Sequence, residues 1–270
     1  MKVSWFGWST VRIDVRGGSS LVIDPCVSPL LNDRHARLAD LEGVDAIMLT
    51  HGHHEHIKDL RVVWDYLGQP PILAPPQVRE YLIAYRDVPR ETFTTAVPGE
   101  AVGFQGATVR AWGFPHLQKH DVAGKLRILS RDNPLGAPWM MLRYAPRIVR
   151  SWFAIKRQPE FGPFLAYDLD IGGRRLMFTC EAFTSLIDPG EVHTWRDAAG
   201  PVDLAIVGVE SGFEVEAASL TGLLKPRRAV LCRVHATFER FYGKPHVDGE
   251  VWRGGRENWE VWEPGTKTEV

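Results

Sequence analysis

Residues 46–56, Ala-Ile-Met-Leu-Thr-His-Gly-His-His-Glu-His, concentrate the ligand-type side chains of this 270-residue chain. Ala46 to Leu49 are apolar and, with Thr50, read as a buried strand. His51, His53, His54, Glu55 and His56 follow at its end, with Gly52 permitting a sharp bend. On an extended backbone His51 and His53 project to one side. His53 and His56 share a face where a helix starts at this point. Neutral imidazole and carboxylate are good ligands for zinc and similar divalent ions, so one strand-to-helix junction offers several of them. A solvated His-rich loop needs neither a buried strand feeding into it nor matching ligands further along the chain, and this sequence has both.

The surrounding elements must position that junction. Val3, Trp5, Val11, Ile13 and Val15 alternate as strands and turn at Gly17-Gly18 into Leu21-Val22-Ile23, which Asp24-Pro25 ends. Residues 27–42 read as a loop that shapes the site entrance. After the junction, residues 58–67 carry Leu60, Val63 and Trp64 at helical spacing, and Pro70-Pro71 stops the helix. A strand over 72–74, a helix over 77–86 and strands over 93–97, 101–104 and 107–112 come next. His116 sits just past the last of them. Residues 164–170 and 175–179 form a hairpin about Gly172-Gly173, with Cys180 and Glu181 at its end. This hairpin echoes residues 9–24, a weak internal repetition. A strand over 204–209, a helix over 214–224 and a strand over 229–234 follow, the last delivering His235. The tail from Tyr242, rich in Gly, Trp and charge, receives no assignment.

Strand ends thus carry His51, His53, Glu55, His56, His116, Glu181 and His235, seven ligand-type residues and enough for two metal ions. His120, His193 and His246 read as surface or structural residues, and Cys232 as core packing.

In these residues the sequence resembles the metallo-β-lactamase-fold superfamily, from Val3 to about Phe238. Ser4-Trp5-Phe6-Gly7-Trp8-Ser9-Thr10 and Ile23-Asp24-Pro25 look most like the branch of ascorbate-6-phosphate lactonase and the N-acylphosphatidylethanolamine phospholipase D-like proteins. The family's His-x-His-x-Asp-His motif maps onto His51, His53, Glu55 and His56. Its next histidine maps onto His116, its bridging aspartate onto Glu181 and its last histidine onto His235. The resemblance implies an α/β fold, a four-layer αβ/βα sandwich with the site at one edge between two similar halves. It implies one metal held by His51, His53 and His116. A second would be held by Glu55, His56 and His235, with Glu181 between the two. The chain departs from the pattern at Glu55 and Glu181, where Asp is usual. It departs also at Cys180, where Gly is usual, and at Trp8, where this branch often has His.

The length, with 44% hydrophobic and 24% charged residues, fits a globular chain, read as one domain over 1–270. A net charge of −1 offers no electrostatic case for nucleic acid or membrane as partner. The three cysteines are too few and too scattered for a disulfide framework, and no secretory leader or apolar run of membrane-spanning length is present, so the expected location is cytoplasmic. Ten tryptophans line a cavity or fill the core, and the core is the expectation. Residues 117–162 form a basic and apolar insertion with two readings. One is a flap or subunit interface through which the chain self-associates. The other is a lid over the site for an anionic or apolar small-molecule substrate.

The expected activity is hydrolysis of an ester, lactone or phosphodiester by a metal-bound hydroxide, with Glu55 and Glu181 as the catalytic carboxylates and zinc as the leading metal. Glu55 ligates or acts as a base. Two rivals stand beside this reading. One is a manganese or di-iron oxidoreductase on the same fold, and the other is a non-catalytic metal-binding scaffold.

Overall fold

The computed structural model describes residues 1–28, 35–115, 142, 145–146, 149, 162–183, 186–234, 236, 239 and 246–270. His116, His120 and His235 lie outside the described residues, as does nearly all of the 117–162 insertion.

Among the described residues, fourteen strands make two seven-stranded sheets. The first half of the chain contributes β1 (Lys2–Trp5), β2 (Val11–Asp14), β3 (Ser20–Ile23), β4 (Ala46–Met48), β5 (Ile72–Ala74) and β6 (Phe93–Thr95). The second contributes β7 (Ala101–Phe104), β8 (Ala107–Phe114), β9 (Phe164–Ile171), β10 (Arg174–Cys180), β11 (Leu204–Gly208), β12 (Arg228–Cys232) and β13 (Trp259–Trp262). A last strand, β14 (Lys267–Glu269), returns to the first sheet and pairs antiparallel with β1. Strand orders are β14-β1-β2-β3-β4-β5-β6 and β13-β12-β11-β10-β9-β8-β7.

The two halves repeat one plan. In each, an antiparallel hairpin, β2–β3 or β9–β10, is followed by parallel strands, β4 to β6 or β11 to β13. The repetition expected from residues 9–24 and 164–181 is therefore a repetition of topology.

Alternation of side chains builds the layers. Leu21, Ile23, Ala46 and Met48 face the second sheet and pack with Val109, Leu169, Leu204 and Val230. Val22, Ile47 and Leu49 face outward against α1 (His54–Ile57), α2 (Leu60–Tyr66) and α3 (Pro76–Arg86). On the far side Ala205, Val207 and Leu231 meet α4 (Pro189–Ala199), α5 (Glu214–Leu224) and α6 (Gly249–Arg253). This is the expected αβ/βα sandwich. Strands covered on both faces must be apolar where they are buried, which is why β4, β11 and, from Ala229, β12 read as continuous apolar runs. All described tryptophans are buried, as the core reading expected.

Two parts differ from the sequence reading. α4 was not anticipated, although Asp188 caps it through Gly190 N at 2.6 Å and Val192, Trp195 and Ala199 form its buried face. The unassigned tail supplies α6, β13 and β14, so it extends one edge of each sheet. No helix among the described residues is long and apolar enough to cross a membrane.

Cys26, Cys180 and Cys232 are free and at most 2% exposed, and burial pushes each thiol well above its ordinary range. The metal-free protein is expected to leave a thiol reagent unconsumed at pH 8 and to consume three equivalents once denatured. Rapid reaction of even one thiol in the native state would contradict this packing.

Candidate metal centre

The polar cluster forms where β3, β4 and β10 end, at the seam between the sheets. β4 runs out at Met48 and the chain crosses toward the second sheet: Leu165 N donates to Thr50 O at 3.0 Å, and Tyr167 Oη donates to Leu49 O at 2.6 Å. These bonds from β9 fix where the histidines begin. His51 is fully buried, and His53 is the residue before α1, with His56 N donating to His53 O at 3.0 Å. The expected switch from strand spacing to helical spacing thus occurs at His53.

His51 Nε2 and His53 Nδ1 are 3.1 Å apart. The rings of His51 and His56 lie 3.9 Å apart between centroids, and Phe164 covers His51 at 5.1 Å and His53 at 5.3 Å. Glu181, 4% exposed, places Oε1 3.8 Å from His56 Nε2. The structure therefore brings together His51, His53, His56 and Glu181. Glu55 is 8% exposed on α1, and its charge acts on Cys26 and His54. Among the described residues, the ligand-type atoms gathered within 4.8 Å of one another belong to His51, His56 and Cys180, so Glu55 is not in that group.

Asp24 organises the cluster, a role the sequence reading did not assign. It ends β3, is 1% exposed and accepts from Thr50 N at 2.8 Å, Thr50 Oγ1 at 2.6 Å and His56 Nδ1 at 2.8 Å. Its own backbone is held by Thr10, whose Oγ1 donates to Asp24 O at 2.8 Å. Thr50 has one hydroxyl proton and gives it to Asp24, so the 2.9 Å contact between Thr50 Oγ1 and His51 Nδ1 requires that nitrogen to carry hydrogen. One carboxylate thereby sets two tautomers, His56 directly and His51 through Thr50. When the rings are neutral, as a bound cation requires, this leaves both Nε2 atoms with their lone pairs. Such outer-shell orientation is what imidazole ligands need. The motif Thr-His preceded by a strand ending in Asp-Pro was the available signal.

His56 stands between a carboxylate from each half of the molecule. Burial alone would lower its pKa, but the charge and hydrogen bond of Asp24, helped by Glu181, push it up to about 10. Burial lowers the pKa of the neighbouring His54.

Backbone strain collects at the same seam. Trp8 (φ 49°), Asp24 (φ 45°) and Cys180 (φ 50°) adopt left-handed conformations beside the cluster. Gly208 on β11 packs against Cys180: a Cβ there would meet Cys180 O at 2.3 Å and its carbonyl carbon at 3.0 Å. Gly208→Ala is therefore expected to displace the end of β10 and to destabilise the protein by about 1–3 kcal/mol, read as a lowered denaturation midpoint. An unchanged midpoint would mean that the two backbones are not in this contact.

The donor set fits a divalent cation. Buried imidazoles and a carboxylate converge, with His51 Nε2 and His53 Nδ1 3.1 Å apart.

Comparison with known proteins agrees. Residues 6–121 match the family model described as the metallo-beta-lactamase superfamily. Over those residues, less than half of its length, the chain is similar to that superfamily. A protein from Chelativorans sp. described as a UPF0173 metal-dependent hydrolase is 39% identical over 116 residues, covering 42% of this chain and 44% of that relative. The chain thus matches less than half of that relative's length. Among solved structures, Igni18, described as a metallo hydrolase from Ignicoccus hospitalis, superposes with a TM-score of 0.67 at 16% identity, covering 100% of this chain and 98% of the other. CmlA, a diiron β-hydroxylase from Streptomyces venezuelae, gives a TM-score of 0.65 at 14% identity over 100% of this chain and 54% of its own. The fold shared with these structures is the metallo-β-lactamase fold, and in this chain the His51–His56 cluster lies at the β4–α1 junction.

Proposed function

We propose that this chain is a metal-dependent hydrolase acting on an ester, lactone or phosphodiester. The observation that carries the reading is the pairing of orientation and convergence: Nδ1 of His51 and His56 are tied to Thr50 and Asp24, which aims both Nε2 atoms toward His53 and Glu181. The proposed ligand set is His51, His53 and His116 for one ion. Glu55, His56 and His235 hold a second, with Glu181 between the two; zinc is the leading metal, and manganese or iron also suits these donors. Such ions supply a Lewis acid and lower the pKa of bound water from 15.7 to about 7.

The chain's own residues do the rest. Asp24 and Thr50 hold the imidazoles in their ligating tautomers. Phe164 excludes water from one side of His51 and His53. Glu181 places a carboxylate oxygen 3.8 Å from His56 Nε2 and can take up a proton from the attacking water. The 117–162 insertion is proposed to bind the substrate or a second copy of the chain.

A second reading, oxygen chemistry at a di-iron centre, draws on the likeness to CmlA and on glutamate at both carboxylate positions. One experiment separates the readings: metal analysis of the purified protein, with assays on a generic ester, lactone and phosphodiester before and after chelation. Turnover lost with chelator and restored by zinc supports the hydrolase. Bound iron with a coloured protein favours the second reading. Full metal loading without turnover on any class overturns the hydrolase.

A further inference from the structure

The residue at 180 is a cysteine in a backbone conformation that favours glycine. Its φ is 50°, its carbonyl is pressed against Gly208, and its side chain is fully buried. A left-handed residue with a Cβ carries a steric cost that glycine would not incur. Apart from the three at the seam, the non-glycine residues with positive φ among the described residues are Gln69, Asp87, Gln105 and Lys225, all in turns or at helix ends. Strain held away from turns points to the side chain. Among the described residues, Cys180 Sγ makes two long polar contacts, 3.6 Å to Ser9 Oγ and 3.7 Å to Thr50 Oγ1. Its other notable neighbours are the ring nitrogens of His51 and His56, with all three ligand atoms within 4.8 Å of one another.

Two imidazoles and a sulfur form a donor set suited to zinc and poorly suited to magnesium or calcium. We propose that Cys180 is a thiolate ligand of a divalent cation that it shares with His51 and His56. The proposal rests on the metal-site reading above and revises its assignment: His51 and His56, placed there on separate ions, here share one ion with a sulfur. On binding, the thiol gives its proton to solvent and the sulfur lone pair goes to the cation, so no oxidant or reductant is involved. Sulfur at this position biases the site toward zinc or cobalt over manganese.

The test uses Co(II) as the probe, followed in the near-ultraviolet, where a cobalt–thiolate bond gives an intense charge-transfer band and cobalt bound by nitrogen and oxygen alone does not. The wild type is expected to show the band on titration with Co(II). Cys180→Ser and Cys180→Gly are expected to lack it and to lose zinc affinity by more than the 10–100-fold that an outer-shell change costs. The Cys26→Ala/Cys232→Ala double variant, which keeps only Cys180, is expected to retain the band. It also decides the matter if the Cys180 variants do not fold: its band supports the ligand, and cobalt bound without a band overturns it. Cobalt bound by the wild type without a band overturns the thiolate and leaves the metal site standing. A band that survives in Cys180→Gly also overturns it. No cobalt binding at saturation overturns both readings together.

Discussion

Asp24→Asn is expected to weaken zinc binding by about 10–100-fold and to destabilise the metal-free protein by about 1–3 kcal/mol. The wild-type carboxylate accepts three hydrogen bonds, two of them, from Thr50 Oγ1 and His56 Nδ1, at Oδ2. Asparagine keeps one acceptor oxygen and puts an NH2 in place of the other. With the NH2 at the Oδ2 position, His56 Nδ1 faces a donor and must itself become the acceptor. Its proton then moves to Nε2, the atom directed at Glu181. Thr50 turns its proton away as well, toward His51 Nδ1, and the tautomer of His51 reverses with it. With the amide turned the other way, the Thr50 N–H faces a donor and stays unsatisfied in a site that is 1% exposed. Neither orientation preserves the network. Zinc titration of the folded variant checks this, and a wild-type dissociation constant would sink the role given to Asp24.

Glu181→Asp is expected to reduce bound metal from two equivalents to one and to lower turnover by about 100-fold, the effect of roughly 1 Å of misplacement. Shortening the side chain withdraws the carboxylate by roughly one C–C bond, 1.5 Å. Zinc–oxygen bonds span only about 2.0–2.2 Å. The backbone cannot follow, because the preceding residue lies against Gly208 with no room for even a methyl group. The change should therefore be harmful even though aspartate is the commoner residue in proteins the sequence resembles. Glu55→Asp provides the comparison: a ligating Glu55 also loses an equivalent, whereas a carboxylate that serves only Cys26 and His54 leaves stoichiometry alone. A wild type that saturates at one equivalent would remove the dinuclear arrangement altogether.

Much of this architecture can be read from local pattern. The run from Ala46 to Leu49 is apolar at every position because β4 is covered on both faces, and the polar residues that follow mark where that cover ends. Period-two alternation in residues 2–23 and 164–179, with glycine pairs at the turns, specifies hairpins that need no distant partner to be recognised. The His-Gly-His-His-Glu-His spacing carries its own geometry, since a strand followed by one helical turn decides which imidazoles share a side.

Tertiary structure alone decided the remainder, for one physical reason: those features are contacts between segments far apart in sequence. β13 and β14 are short and mixed in polarity, and they are strands only because β12 and β1 offer free edges to pair with. Asp24 reaches Thr50 and His56 only when β3 and β4 lie side by side. Glu181 and Cys180 approach His56 and His51 only when the second hairpin docks its end against the first half. A chain lists its ligands one by one, but hydrogen bonds and lone pairs act over about 3 Å, and only the packing of the two sheets brings these atoms that close.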